Sequence, residues 1–364
     1  MVKSIAFYVS DHGFGHATRT IAVVRAVIKA NPKVKISIIT SRNAKFMREA
    51  LSLENVIVRE KINDFGLITA NNLSINPKKT RFAFEKWVAV WEKWLATEQN
   101  VFDKRIDLII SDIAPQPFIL AEKIGLPSIA ISNFTWLDQY AQMFESELFQ
   151  QLAEAYSSAS SALVLPFSME MAGIKSDRKK DIPLVYREPT RDLKKIQSQY
   201  PTLKGKKLIF IRAEGGSLDY SLSIARWKEP GETCFVTGSR TIEGGKKQIL
   251  NIPKEEIEHQ DFVIASQLVV SKPGYSILSE AVAGRAPMIL IKVEGFPEAE
   301  IMGGKAEALG IGQFLSKEEV VSGKWLEKKE ALRGQQEAFN HLSSRFLGNG
   351  SMVAAEHILE YLTR

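Results

Sequence analysis

The stretch SIAFYVSDHGFGHATRTIAVVRAVIKA, residues 4–30, sets the reading of this chain. An apolar run, Ile5–Val9, leads into a polar turn with glycines and then into a second apolar segment, Thr20–Ala30. A short buried run followed by a helical pattern predicts a strand, a turn and a helix beginning near Thr18. Such a unit belongs in a parallel sheet covered by helices. The turn holds two of the five histidines, His12 and His16. Gly13 and Gly15 let the backbone turn tightly and let another group approach closely. The helix N-terminus just beyond exposes N–H groups and partial positive charge, which suits an anion or a polarised oxygen. Imidazole is the side chain suited to base chemistry near neutral pH, so His16 is the candidate base. A structural histidine capping the turn is the alternative. Gly13 and Gly15 lack the third glycine of the dinucleotide fingerprint.

The pattern continues outward from this unit. Strands are predicted at Val34–Thr40, Val56–Arg59, Asp107–Ser111, Ser128–Ser132 and Ala162–Pro166, with helices at Arg42–Leu51 and Gln116–Ile124. Residues 167–206 are polar, with prolines at 183, 189 and 201, and read as a linker. The strand–turn–helix order then restarts with Lys207–Arg212 and the turn at Gly215, Gly216 and Ser217. Strands follow at Cys234–Thr237, Leu268–Ser271 and Pro287–Ile291, with a short strand or turn at Phe262–Ala265. Helices are predicted at Ile277–Ala283, Glu298–Leu309 and Met352–Leu362, the last with Ser351 as N-cap. The expected fold class is α/β, with two Rossmann-like doubly wound domains facing a cleft and ligand at the carboxyl ends of the strands. The expected division is 1–166, a linker at 167–206, a second domain at 207–345, and a C-terminal helix at 346–364 that packs back on the first domain.

Composition bounds the function. The chain has 364 residues, 45% of them hydrophobic, and 48 basic against 42 acidic residues. That small excess suits an anionic small molecule or membrane surface and gives no basic patch of the kind a nucleic-acid binder needs. Nucleic acid is therefore not an expected partner. The single cysteine, Cys234, lies in an apolar run and forbids an intrachain disulfide. No run reaches the ~18 apolar residues of a membrane span. No leader pattern precedes the first strand, so a cytoplasmic protein is expected, with peripheral membrane contact left open.

Further candidates follow from position. Asp112 ends a predicted strand of the first domain, at the same sheet edge as His16. It is the carboxylate best placed to orient the base, and an N-cap role there is compatible. In SKPGYSILSEAVAGRAPMILI, residues 271–291, Gly274 and Tyr275 lie just ahead of a helix and Ser276 could cap it, leaving N–H groups for phosphate. Glu280 lies four residues on, where a carboxylate can take two ribose hydroxyls; a surface glutamate is the alternative. Glu298 and Glu300, in the loop after Pro287–Ile291, could read sugar hydroxyls or form an acidic first helical turn. In RFAFEKWVAVWEKW, residues 81–94, Phe84, Trp87, Trp91 and Trp94 share one helical face. That face reads first as core, with an acceptor wall or a membrane-resting helix as alternatives.

These segments resemble known glycosyltransferases. Residues 271–291 look like the donor-binding segment of nucleotide-sugar glycosyltransferases of the GT-B fold, including the lipid II-forming N-acetylglucosaminyltransferase family. DHGFGHATRTIAVVRAV and DLIISDIAPQPFILAEKIGLPSIAISNFTW are similar to the glycosyltransferase-like domain of L-arabinokinases. Nothing resembles the kinase half. The resemblance implies a metal-independent, inverting transferase with no cofactor, using a nucleotide sugar, UDP-sugar foremost, and an acceptor that is a small molecule, glycan or lipid. It implies His16 as base, Asp112 as its orienting partner, and a diphosphate site at Gly274, Tyr275, Ser276 and Gly216. It further implies Glu280 on the ribose and base contacts through the main chain around Gln260–Val263, hence Phe262 and Val263. Glu298 stands where relatives often carry an amide. A nucleotide-sugar 2-epimerase and a non-catalytic nucleotide-sugar-binding protein are the alternatives.

Overall fold

Strand β1, Ser4–Val9, lies inside a seven-stranded sheet, with every residue after Ser4 buried. The computed structural model describes residues 2–71, 74–102, 106–212, 232–238, 249–253, 255–293, 295–327 and 329–363. The remaining strands in chain order are β2 (Lys35–Thr40), β3 (Val56–Glu60), β4 (Thr69–Asn71), β5 (Ser74–Ile75), β6 (Leu108–Asp112), β7 (Ser128–Ser132), β8 (Ser161–Val164) and β9 (Lys179–Asp181). β10 (Lys207–Arg212), β11 (Thr233–Thr237), β12 (Ile249–Asn251), β13 (Leu268–Ser271), β14 (Met288–Ile291) and β15 (Gly312–Leu315) follow. The chain divides into two units: residues 1–68, 75–186 and 348–364 in the first, and residues 69–74 and 187–347 in the second.

The first unit's sheet runs β3-β2-β1-β6-β7-β8-β9, and every pairing is parallel. Strands buried on both faces explain the near-continuous apolar runs of β1, β6 and β7. The order reverses between β1 and β6, where Val9 lies opposite Asp112. Residues 167–186, read as linker, belong to this unit and supply edge strand β9. Ile182, Leu184 and Val185 are buried there, so Pro183 lies in a folded excursion.

The aromatic helical face is core. Phe84, Trp87, Trp91 and Trp94 are all buried, across two helices, Pro77–Ala89 and Trp91–Phe102. Phe84 and Trp87 pack against Tyr140 and Phe65 respectively. The final helix, Gly350–Thr363, packs along the helix Phe14–Ala30. Ser351 lies inside it rather than at its cap; Asn349 accepts the Ser351 N–H at 2.9 Å. No described helix is long and apolar enough to cross a membrane.

The second unit's sheet runs β12-β11-β10-β13-β14-β15, again all parallel. Its core joins Ile209, Ile211, Phe235, Val270, Ile289 and Ile291 from the strands to Val320 and Trp325 beyond them. Cys234 is buried in β11. Where a short strand or turn was expected, His259–Ile264 form a helix. Phe262 and Val263 sit in its buried face, and a six-residue apolar-polar run is ambiguous between the two patterns.

Candidate active site

The turn after β1 is built by its neighbours. Gly13 has φ of 100°, a conformation that side chains resist, and it precedes the helix, which starts at Phe14 rather than near Thr18. Gly15 and His16 therefore stand in the first helical turn. Asp11 ties this turn to the one after β2: its Oδ1 accepts from Thr40 Oγ1 at 2.9 Å and from the Ser41 and Arg42 N–H groups at 2.8 Å. His12 packs against Gly66 and Leu67. The Leu67 N–H points to His12 Nδ1 at 3.4 Å, and a Cβ on Gly66 would lie 2.0 Å from that nitrogen.

His16 and Asp112 meet where the strand order reverses, the place where doubly wound sheets bind ligands. His16 Nδ1 lies 2.8 Å from Asp112 Oδ1, and both side chains are buried. Arg19, one helical turn after His16, grips the same carboxylate. Its Nε donates to Asp112 Oδ2 at 2.6 Å, and its Nη2 donates to Oδ1. Burial pushes the Asp112 carboxyl up, but the Arg19 guanidinium and His16 outweigh it and hold it below the ordinary carboxylate range. Ile113, next in sequence, has φ of 59°, a costly conformation for a β-branched residue. Its carbonyl accepts the Tyr156 hydroxyl at 2.5 Å, which fixes the turn that aims Asp112.

A second carboxylate adjoins the pair. Asp64 accepts the Asp11 N–H at 2.9 Å and Trp136 Nε1–H at 3.0 Å. Burial pushes it up to about 6, against the pull of those donors, Ser10 and His16. Trp136 and Phe134 make T-shaped ring contacts with His12 and His16, at 5.2 and 5.9 Å between ring centres.

In the second unit, Gly274 is the N-cap of the helix Tyr275–Ala283, which follows β13 at that sheet's own reversal between β10 and β13. Ser276 is the second residue of the helix and not its N-cap. Tyr275 is buried. Gly274 is extended, so its smallness leaves room rather than permitting a strained turn. Glu280 is not a surface residue: it is 3% exposed and paired with Arg187, itself buried. Arg187 Nη2 lies 3.1 Å from Glu280 Oε1, and its Nη1 donates to the Ile257 carbonyl at 2.9 Å. Burial raises the Glu280 carboxyl, and Arg187 pulls against it. The Phe262 ring meets the Tyr200 ring at 5.4 Å and the Arg191 guanidinium at 5.5 Å, and the expected base-contacting segment Gln260–Val263 is helical. Glu298 is buried in the first turn of the helix Pro297–Ala308, while Glu300 accepts the Gly295 N–H at 3.1 Å. Gly215, Gly216 and Ser217 lie outside the described residues.

The family model of glycosyl transferase family 1 matches residues 3–324, which spans both sheets. The chain belongs to glycosyl transferase family 1. Among curated proteins, this glycosyltransferase is 24% identical over 372 residues to L-arabinokinase of Arabidopsis thaliana. The match takes in 98% of this chain and 34% of that protein, so the chain spans about a third of its relative. Among solved structures it resembles the glycotransferase of kitacinnamycin, with a TM-score of 0.69 at 14% identity, covering all of both chains. It also resembles a UDP-glucosyltransferase from Polygonum tinctorium, with a TM-score of 0.66 at 12% identity, covering 100% of this chain and 99% of the other. These neighbours share the GT-B fold.

Three side chains beside the candidate residues of the two units escaped the sequence reading. Arg19 could have been found, since it follows His16 by three residues and so shares its helical face. Asp64 and Arg187 sit in irregular segments with no periodic signal, and only the folded chain brings them to His16 and Glu280.

Proposed function

We propose that this glycosyltransferase moves a sugar from a nucleoside-diphosphate sugar to an acceptor hydroxyl, with inversion and without a metal ion or other cofactor. The observation that carries the reading is the buried His16–Asp112 contact of 2.8 Å at the reversal of the first sheet. With Asp112 on Nδ1, the Nε2 lone pair of His16 takes the acceptor hydroxyl proton. The freed oxygen bonds to the anomeric carbon on the face opposite the leaving group. The bond to the diphosphate breaks, and its electron pair leaves with the nucleotide. A general base of this kind is worth ~10²–10⁴ in rate.

The helix N-terminus at Gly274–Ser276 would take the diphosphate's growing charge, with Gly215, Gly216 and Ser217 as the second anion turn. Glu280 would take the ribose hydroxyls and Glu298 those of the sugar. Gly13 and Gly15 would let the substrate come close to His16. The Polygonum tinctorium neighbour is a UDP-glucosyltransferase, so uridine diphosphate is the first nucleotide to try. The acceptor class is a small molecule, glycan or lipid.

The test is thermal shift against nucleoside diphosphates and their sugars, with His16→Ala alongside. One nucleotide should stabilise both proteins, by ~2.7 kcal/mol at a hundredfold excess over its dissociation constant. Transfer should then fall by ~10²–10⁴ in His16→Ala. A panel in which no nucleotide shifts either protein, or a His16→Ala variant with native turnover, overturns the reading.

A further inference from the structure

The Arg19 guanidinium is the hub of the His16 site. Beyond its two bonds to Asp112, its Nη1 donates to Asn133 Oδ1 at 2.6 Å and its Nη2 donates to Ser132 Oγ at 3.2 Å. It therefore joins the first helix to the ends of β6 and β7. Arg19 is 3% exposed.

His16 Nδ1 lies 2.8 Å from Asp112 Oδ1 and 2.8 Å from Arg19 Nη2. An ionised carboxylate only accepts, so its contact with Nδ1 requires Nδ1–H, and a donation to a charged oxygen is the stronger pairing. Arg19 Nη2 has Asp112 Oδ1 and Ser132 Oγ as acceptors for its own two hydrogens. That pairing leaves Nε2 with its lone pair. Asp112 can hold that geometry only if its carboxylate cannot rotate. A planar fork on both oxygens prevents rotation, and an ammonium, being a point charge, does not.

We propose that Arg19 is the positioning residue of this site, clamping Asp112 so that His16 is held as the Nδ1–H tautomer with Nε2 turned to the acceptor. The proposal rests on the reading of His16 as base. It adds a third member that acts through Asp112 and touches no substrate.

The test uses the full chain labelled with ¹⁵N-histidine, with the His16 signals assigned by His16→Gln. In the native protein the His16 ring should show one tautomer, protonated on Nδ1, with that proton slow to exchange. In Arg19→Gln and Arg19→Lys the Nδ1–H should exchange at least ~10-fold faster and the tautomers should mix, because the clamp is gone. The other four histidine rings should keep their native signals. Turnover of a UDP-sugar should fall ~10–100-fold with KM for the donor within about twofold, the signature of a lost transition-state contribution. Should Arg19→Gln fail to fold, Arg19→Lys keeps the charge and most of the volume and carries the same readout. Native tautomer and exchange at His16 in a folded variant overturn the proposal, whatever the turnover. Native turnover in His16→Gln would instead overturn the base reading and leave the ring signals to decide on Arg19.

Discussion

Asp112 and Asp64 are both buried carboxylates beside His16, and they are handled in opposite ways. Asp112 meets burial with a guanidinium on both oxygens and stays below the ordinary range. Asp64 has neutral donors only, Trp136 and main-chain N–H among them, and burial pushes it from 3.8 to about 6. The sign of the linkage follows. Between the two values the native chain holds a proton that the unfolded chain has released. Asp64 therefore contributes stability that is fully present below pH 3.8 and is lost as pH rises through about 6. The contribution is on the order of 2–3 kcal/mol. Denaturation midpoints measured from pH 4 to 7 should show this fall, and Asp64→Asn should flatten it. An equal slope in Asp64→Asn would assign the effect elsewhere. Ile113 marks the same spot by strain: a β-branched residue at φ of 59° costs ~1–3 kcal/mol and is tolerated because Tyr156 and the sheet hold it.

Among the elements, the helix Tyr275–Ala283 and the segment that begins at Arg187 are joined by one buried ion pair. This changes how Glu280 must be tested. Truncation to alanine would strand the Arg187 charge in the interior, at ~3–5 kcal/mol of stability. Glu280→Gln keeps a partner for Arg187. It should lose ~1–3 kcal/mol of nucleotide affinity by calorimetry, the cost of a lost charged hydrogen bond, with a smaller drop in melting temperature than Glu280→Ala. Native nucleotide affinity in a folded Glu280→Gln protein would remove the ribose role. The helix beginnings show the limits of local reading. Ser276 and Ser351 have good N-cap chemistry, yet the helices begin at Tyr275 and Gly350. At Gly350 a Cβ would lie 2.1 Å from the Pro183 oxygen, so close packing rather than side-chain capping sets that helix start.

At the scale of the molecule, the chain returns to its first unit after completing the second. Gly350 is where the return is anchored. Its N–H donates to the Leu184 carbonyl at 2.7 Å, and a Cβ there would lie 2.1 Å from the Pro183 oxygen. Ser351 Oγ donates to the Tyr186 carbonyl at 3.3 Å, and Ser161 Oγ meets His357 Nε2 at 3.0 Å. Gly350→Ala should therefore lift the final helix off and cost ~1–3 kcal/mol. Hydrogen exchange should report it in the helix Phe14–Ala30, against which the final helix packs. Native protection there would show that the contact is dispensable.

The sequence by itself determined the two parallel sheets and the sheet edge at which His16 and Asp112 meet. Buried strands must be apolar on both faces, so β1, β6, β7, β13 and β14 were legible as runs. A glycine-bearing turn between strand and helix can be read without coordinates, and so His16 and Asp112 were found at one sheet edge. The tertiary structure alone decided which charges meet. Arg19 on Asp112, Asp64 beside the turn of His12, and Arg187 on Glu280 are contacts between residues 53 to 93 positions apart. No local pattern encodes them, because the energy of a buried charge depends on which partner the fold delivers and not on its neighbours in the chain.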